Sequence, residues 1–146
     1  TGTLTAAERA AIANVEARLT SITQRAIANV NAGTATGPWA QRLVGMQANN
    51  PMYRLTLGNA IHEEAFEVAR LEVRAGTLPA GLQSNIGRAI PGAGLPNSYG
   101  GLRPDFRLPI SGGSEAGFDI TTVAQAGHAQ PYTSHSWVQF VVELLY

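Results

Sequence analysis

Apolar side chains recur at steps of three and four through the first part of the chain. Ile12, Val15, Leu19, Ile22, Ala26 and Val30 form one stripe, and Arg9, Glu16, Arg18 and Arg25 fall mostly off it. This is the pattern of a helix that buries a single face. Thr5-Ala6-Ala7-Glu8 marks its start, at the spacing of a capping box in which the hydroxyl and the carboxylate each satisfy a free backbone N–H. Gly33 and the Gly37-Pro38 pair end it. A shorter helical piece is expected over 39–47, closed by Asn49-Asn50-Pro51, and a second long helix over about 59–75, closed by Gly76. In the latter Ile61, Ala65, Phe66, Val68, Ala69 and Val73 cover a broad face, which suits packing on a sheet.

The period then changes. Residues 76–101 are rich in glycine and proline and read as loop, with a short strand near 86–90. In 103–108 and again in 115–122 the polar residues take odd positions and the apolar ones even positions. These are two strands with one apolar and one polar face each. Pro109 to Ser114, with Gly112-Gly113, supplies the turn. Directly paired residues of an antiparallel hairpin share a face, so an even-length turn would mix the two faces. A three- or five-residue loop keeps them separate and makes Asp105 and Asp119 neighbours on the polar face. After a helix or loop over 122–132, the nearly continuous apolar run 137–146 reads as a strand buried on both sides.

The order of elements predicts an α/β or α+β fold in one compact domain. Residues 1–57 form an N-terminal helical segment packed on a core formed by 58–146. The 146 residues are 45% apolar, enough to bury a core without staples. Absence of cysteine excludes a disulfide framework, thiolate metal sites and a thiol nucleophile. No apolar run approaches the roughly 20 residues of a membrane span, and no stretch reads as a signal peptide. Ten basic and ten acidic residues give a formal charge of zero, which argues against coating nucleic acid by bulk positive charge. Residues 1–60 nevertheless carry five arginines against two glutamates. All ten basic residues are arginine, and Asp105 and Asp119 are the only aspartates.

Those two aspartates carry the candidate chemistry. Carboxylates brought together on one sheet face repel unless a proton or cation lies between them. Magnesium binds through one or two carboxylates and keeps positions open for water and phosphate oxygens. Glu115 shares their face by parity and joins them as a candidate ligand. On the preceding helix Glu63 and Glu67 stand four apart, and one of them turned toward the hairpin would add a further acid.

At Glu63 or Glu64, Pro104-Asp105 and Asp119-Ile120-Thr121 the chain resembles the PD-(D/E)xK, restriction-endonuclease-like nucleases. The stretch RPDFRLPISGGSEAGFDITTVAQAGHAQPY also looks like the C-terminal nuclease domains of bacterial polymorphic (Rhs-type) toxins. The resemblance implies an αβββαβ core over 58–146, a catalytic set of Glu63, Glu64, Asp105 and Asp119, and a magnesium ion. Thr121 stands where the family has a lysine, and this chain has none. Gln125 and His128 are the candidates to manage the attacking water in its place, and Arg103 and Arg107 to face phosphate. A metal-dependent nuclease acting on DNA or RNA follows. It would form the toxin tip of a larger secreted bacterial protein, acting in the target-cell cytoplasm and held in check by an immunity protein. The start at Thr1 suits a domain excised from a longer chain. The alternatives are a non-catalytic interaction domain and another toxin chemistry such as ADP-ribosyl transfer.

Overall fold

A computed structural model describes residues 4–84, 88–89, 101–102, 105–110, 114–122, 126–127 and 138–145. Helix α1 spans Ala6–Asn31 and opens on the expected capping box. The Glu8 N–H donates to Thr5 Oγ1 at 3.1 Å, and the Thr5 N–H donates to Glu8 Oε1 at 3.0 Å. Every residue of the predicted stripe is buried, joined by Thr23, whose hydroxyl donates to the Leu19 carbonyl at 2.8 Å. Helix α2, Pro38–Leu43, places proline in its first turn, where the missing N–H costs nothing. It stops short of the expected 47, because Val44 leaves helical geometry and Gly45 adopts φ +78°.

Helix α3 runs from Tyr53 to Ala75 and so begins six residues before the expected 59. The Asn50 side chain accepts from the Met52 N–H at 2.9 Å and starts the helix directly after Pro51. Gly58 is then carried inside it. A mid-helix glycine costs about 1 kcal/mol relative to alanine, and the buried Thr56, Ala60 and Ile61 around it offset that. The division expected between residues 57 and 58 therefore falls within α3. At the other end Gly76 takes the left-handed conformation (φ +82°), and its N–H donates to the Val73 carbonyl. Among the described residues no helix is long and apolar enough to cross a membrane.

The fold is α+β. Its strands are β1 (Gln83–Ser84), β2 (Arg88–Ala89), β3 (Gly101–Leu102), β4 (Phe106–Pro109), β5 (Glu115–Thr121) and β6 (Val138–Leu145). Strands β1, β4, β5 and β6 form one sheet in that spatial order, and β2 pairs with β3 apart from it. Strand β4 is antiparallel to both neighbours, whereas β6 runs parallel to β5. The short strand expected near 86–90 is β2, and β1 is an additional strand before it. A helix over 122–132 lies largely outside the described residues.

Within the β4–β5 hairpin the pairs are Phe106 with Phe118, Arg107 with Gly117, Leu108 with Ala116 and Pro109 with Glu115. The connection is the odd-length segment 110–114, closed by the Ile110 N–H donating to the Ser114 carbonyl at 2.8 Å. Parity therefore holds, and Phe106, Leu108, Ala116, Phe118 and Ile120 all enter the core shared with the helices. Phe66 of α3 meets Phe106 edge-on at 5.5 Å. The odd-numbered face differs from expectation. Arg107, Asp119 and Thr121 are buried rather than solvated. Alternation assigns side chains to faces, but it does not say whether the polar face meets water.

Phe118 is fully buried on a strand with neighbours on both sides. Phe118→Ala is expected to lower stability in urea unfolding by about 3–5 kcal/mol. Leu71→Ala, at a residue 53% exposed, should stay within about 0.5 kcal/mol.

Candidate functional site

Asp105 stands one step beyond the Phe106–Phe118 pair, opposite Asp119. The two side chains are tied into the backbone reciprocally. The Asp105 N–H donates to Asp119 Oδ1 at 3.2 Å, and the Ile120 N–H donates to Asp105 Oδ2 at 2.7 Å. Each carboxylate thus takes a hydrogen bond from the opposite strand, which holds the hairpin end together past the last ladder pair. Charge-assisted bonds of this kind are stronger than neutral ones.

His62 of α3 answers the negative charge. Its Nε2 lies 3.2 Å from Asp105 Oδ2 and 3.2 Å from the Ile120 carbonyl oxygen, and its Nδ1 lies 2.7 Å from the Gly58 carbonyl oxygen. All three partners are acceptors, so both ring nitrogens donate only when the imidazole is protonated. Burial by itself pulls the pKa down. The hydrogen bond to Asp105 and its charge, with the Gly58 carbonyl and the Asp119 charge, outweigh burial and push it up to about 9. A cation on α3 therefore pairs with Asp105 and offsets one of the two negative charges. Position alone marked this residue: His62 shares the sheet-facing side of α3 with Phe66 and Ala69, at helical steps of four and three. A polar side chain on a buried stripe is the signal that sequence reasoning passed over.

His62 and Asp105 open onto a cleft of about 670 Å³ between α2, α3 and the end of β4, whose lining includes Trp39, Glu63, Glu64 and Arg70. The helix glutamates are held by other elements. Glu63 Oε2 accepts from the Trp39 N–H at 3.1 Å, serving the first turn of α2, whose own Gly37 has no side chain to do so. Glu64 Oε1 accepts from Asn29 of α1 at 3.2 Å. Glu67 pairs with Arg70 at 2.7 Å. None of these contacts turns a glutamate onto the hairpin.

Of the remaining candidates, Thr121 is buried on β5. Arg107, expected to face phosphate, is also buried: its Nη2 donates to Gln83 and its Nη1 lies 3.7 Å from Glu115 Oε2. Glu115 sits at the far end of β5 from Asp119, against Pro109. Arg103, Gln125 and His128 lie outside the described residues. Among the described residues no group of three or more histidine, aspartate or glutamate side chains is placed to hold a metal ion.

Comparison with known proteins returns no match: no family model fits the chain, and no curated protein or solved structure is similar to it.

The raised pKa fixes a stability prediction. A group that binds its proton more tightly when folded stabilises fully below its unfolded pKa and ceases to do so as pH rises through its folded value. The His62 contribution should be complete below about 6.5 and lost as pH passes about 9. Thermal melting followed by circular dichroism should therefore show wild-type stability falling over that interval. His62→Gln should start less stable and show a shallower fall.

Proposed function

We propose that the chain is a metal-dependent nuclease of the PD-(D/E)xK type, the toxin tip of a larger secreted bacterial protein. One observation carries this reading. The hairpin register sets the only two aspartates opposite each other, Asp105 lining a cleft beside a histidine from the preceding helix and Asp119 buried next to it. In the four-stranded sheet the order α3, β1, β4, β5 and β6 is compatible with an αβββαβ core, with β2 and β3 standing apart and the second helix falling outside the described residues. A parallel neighbour needs a crossover of about a dozen or more residues, and 122–137 have that length.

Asp105 and Asp119 would hold the divalent cation, which when bound supplies Lewis-acid stabilisation of a phosphodiester and an acidified water. The chain's own groups do the rest. The Ile120 N–H holds Asp105 Oδ2 and the Asp105 N–H holds Asp119 Oδ1, which fixes both carboxylates before any ligand arrives. His62 orients Asp105 through Nε2 while Gly58 fixes its ring through Nδ1. Both ring nitrogens are engaged, Nε2 by Asp105 and the Ile120 carbonyl and Nδ1 by the Gly58 carbonyl, so His62 acts on Asp105 as a positioning counter-ion. With no lysine in the chain, Gln125 and His128 stay the candidates to manage the attacking water. Nucleic acid is the proposed substrate, and an immunity protein the proposed partner in the producing cell.

Incubation with plasmid DNA and with RNA, in magnesium and in EDTA, tests the proposal. Cleavage of at least one polymer in magnesium, abolished by EDTA, is the expected result. Asp105→Asn and Asp119→Asn should each reduce it to the EDTA level while leaving circular dichroism native, and should relieve growth arrest on cytoplasmic expression in bacteria. Absence of cleavage of either polymer by folded wild type would instead favour a non-catalytic interaction domain.

A further inference from the structure

Arg42 lies 4.7 Å over the indole ring of Trp39, and Trp39 lines the cleft that holds His62 and Asp105. We infer that Arg42 is a phosphate-contacting residue for the nucleic-acid strand entering this cleft, and that Glu63 is the positioning residue that sets Trp39 and Arg42 in place. The inference rests on the nuclease reading above.

The charge distribution requires such a residue. Glu63, Glu64, Glu67 and Asp105 line the cleft, against His62 and Arg70. Arg70 is already paired with Glu67, and His62 with Asp105. A phosphodiester strand approaching this wall meets uncompensated negative charge, so a cation must stand beside the cleft and outside its acid lining. Arg42 is that cation. It is exposed, and among the described residues it forms no ion pair. Residues 17–62 contain no acid that would neutralise it. Glu63, the next acid along the chain, is committed to the Trp39 N–H. The aromatic ring beneath the guanidinium restrains a side chain that would otherwise lose rotamer freedom on contact, which favours an oriented phosphate contact over a diffuse one.

Glu63 sets the geometry. Its carboxylate lies where a Cβ on Gly37 would be, so glycine there leaves the space in which Glu63 reaches the first turn of α2. The hydrogen bond from the Trp39 N–H then fixes α2, and with it the indole and Arg42, against α3. This role needs an acceptor oxygen and no charge. Glutamine can serve it and alanine cannot, whereas loss of a metal-binding acid would be severe in both variants.

The test is fluorescence anisotropy of short fluorescein-labelled DNA and RNA single strands in EDTA, titrated with salt. Arg42→Ala is expected to bind about tenfold more weakly. Its slope of log K against log salt should fall by about 0.7, one phosphate contact on a single strand. Arg9→Ala, an exposed arginine of α1, should match wild type. Glu63→Ala should lose the same slope as Arg42→Ala, about 0.7, and Glu63→Gln should keep the wild-type slope and bind at least as tightly as wild type. Equal binding by Arg42→Ala and wild type, or equal losses in Arg42→Ala and Arg9→Ala, overturns the role of Arg42. Glu63→Gln as weak as Glu63→Ala overturns the positioning role. A wild type that cleaves nucleic acid yet shows no salt-dependent strand binding also overturns the inference and leaves the nuclease reading standing. A wild type that neither binds nor cleaves removes that reading as well.

Discussion

Two carboxylates placed opposite each other at one hairpin end must be compensated, and much of the structure serves that requirement. Asp105 and Asp119 face one another because β4 and β5 pair with an odd-length connection. Left alone, they would repel and open the strands. Each instead accepts a backbone N–H from the opposite strand, so the charged pair continues the hairpin where its ladder stops. One of the two charges is also met by His62, which only a helix packed on the even face of the sheet can deliver. The edge-on contact of Phe66 with Phe106 lies beside that histidine and fixes the distance from which it reaches Asp105. Core packing and site electrostatics are thus one problem, solved by a single face of α3.

Three consecutive residues of α3 carry the architecture further. Successive side chains on a helix diverge by about 100°, so His62, Glu63 and Glu64 leave it in three directions. His62 goes to the hairpin, Glu63 to the first turn of α2, and Glu64 to Asn29 on α1. One turn therefore joins every major element around the cleft. Glu72, further along α3, takes Arg18 and Arg25 of α1 at 3.5 and 3.7 Å. Both arginines are more than half exposed, so each pair contributes about 1 kcal/mol or less. The stronger tie between α1 and α3 is the buried stripe itself.

Much of this could be read along the chain, and the reasons for the rest are physical. The α1 stripe, its capping box, the Gly76 stop and the hairpin register all follow from local periodicity, which the sequence states directly. The start of α3 did not follow, because Gly58 disfavours helix locally and only tertiary burial of Thr56 and Ala60 outweighs it. The burial of Arg107 and Asp119 did not follow either. Alternation distinguishes two faces, but what covers the second face depends on the path of the rest of the chain. At the site, parity placed Asp105 and Asp119 on one face, and the register then chose Asp119 over Thr121 as the partner of Asp105. The destination of the helix glutamates was not, since Glu63 and Glu64 are held by α2 and α1, elements distant in sequence. His62 was overlooked because a single histidine has no periodicity of its own. Its meaning comes from the stripe it interrupts.

The composition sharpens this electrostatic picture. A neutral chain without lysine has only arginine and histidine with which to place positive charge. Among the described residues, four arginines are engaged by acids or amides: Arg18 and Arg25 by Glu72, Arg70 by Glu67, and Arg107 by Gln83 and Glu115. The excess of positive charge over residues 1–60 is therefore partly neutralised by an acid from α3, and total charge is a poor guide to the surface. Compact ammonium groups are strongly hydrated and mobile. Guanidinium groups stack and bond in fixed planes, and they suit the contacts seen at Trp39 and Gln83. The cation at the aspartate pair is of a different kind again. An arginine there would be permanently charged, whereas His62 can also release its proton. The counter-ion is thus a titratable one, at the only place in the described structure where two aspartates meet.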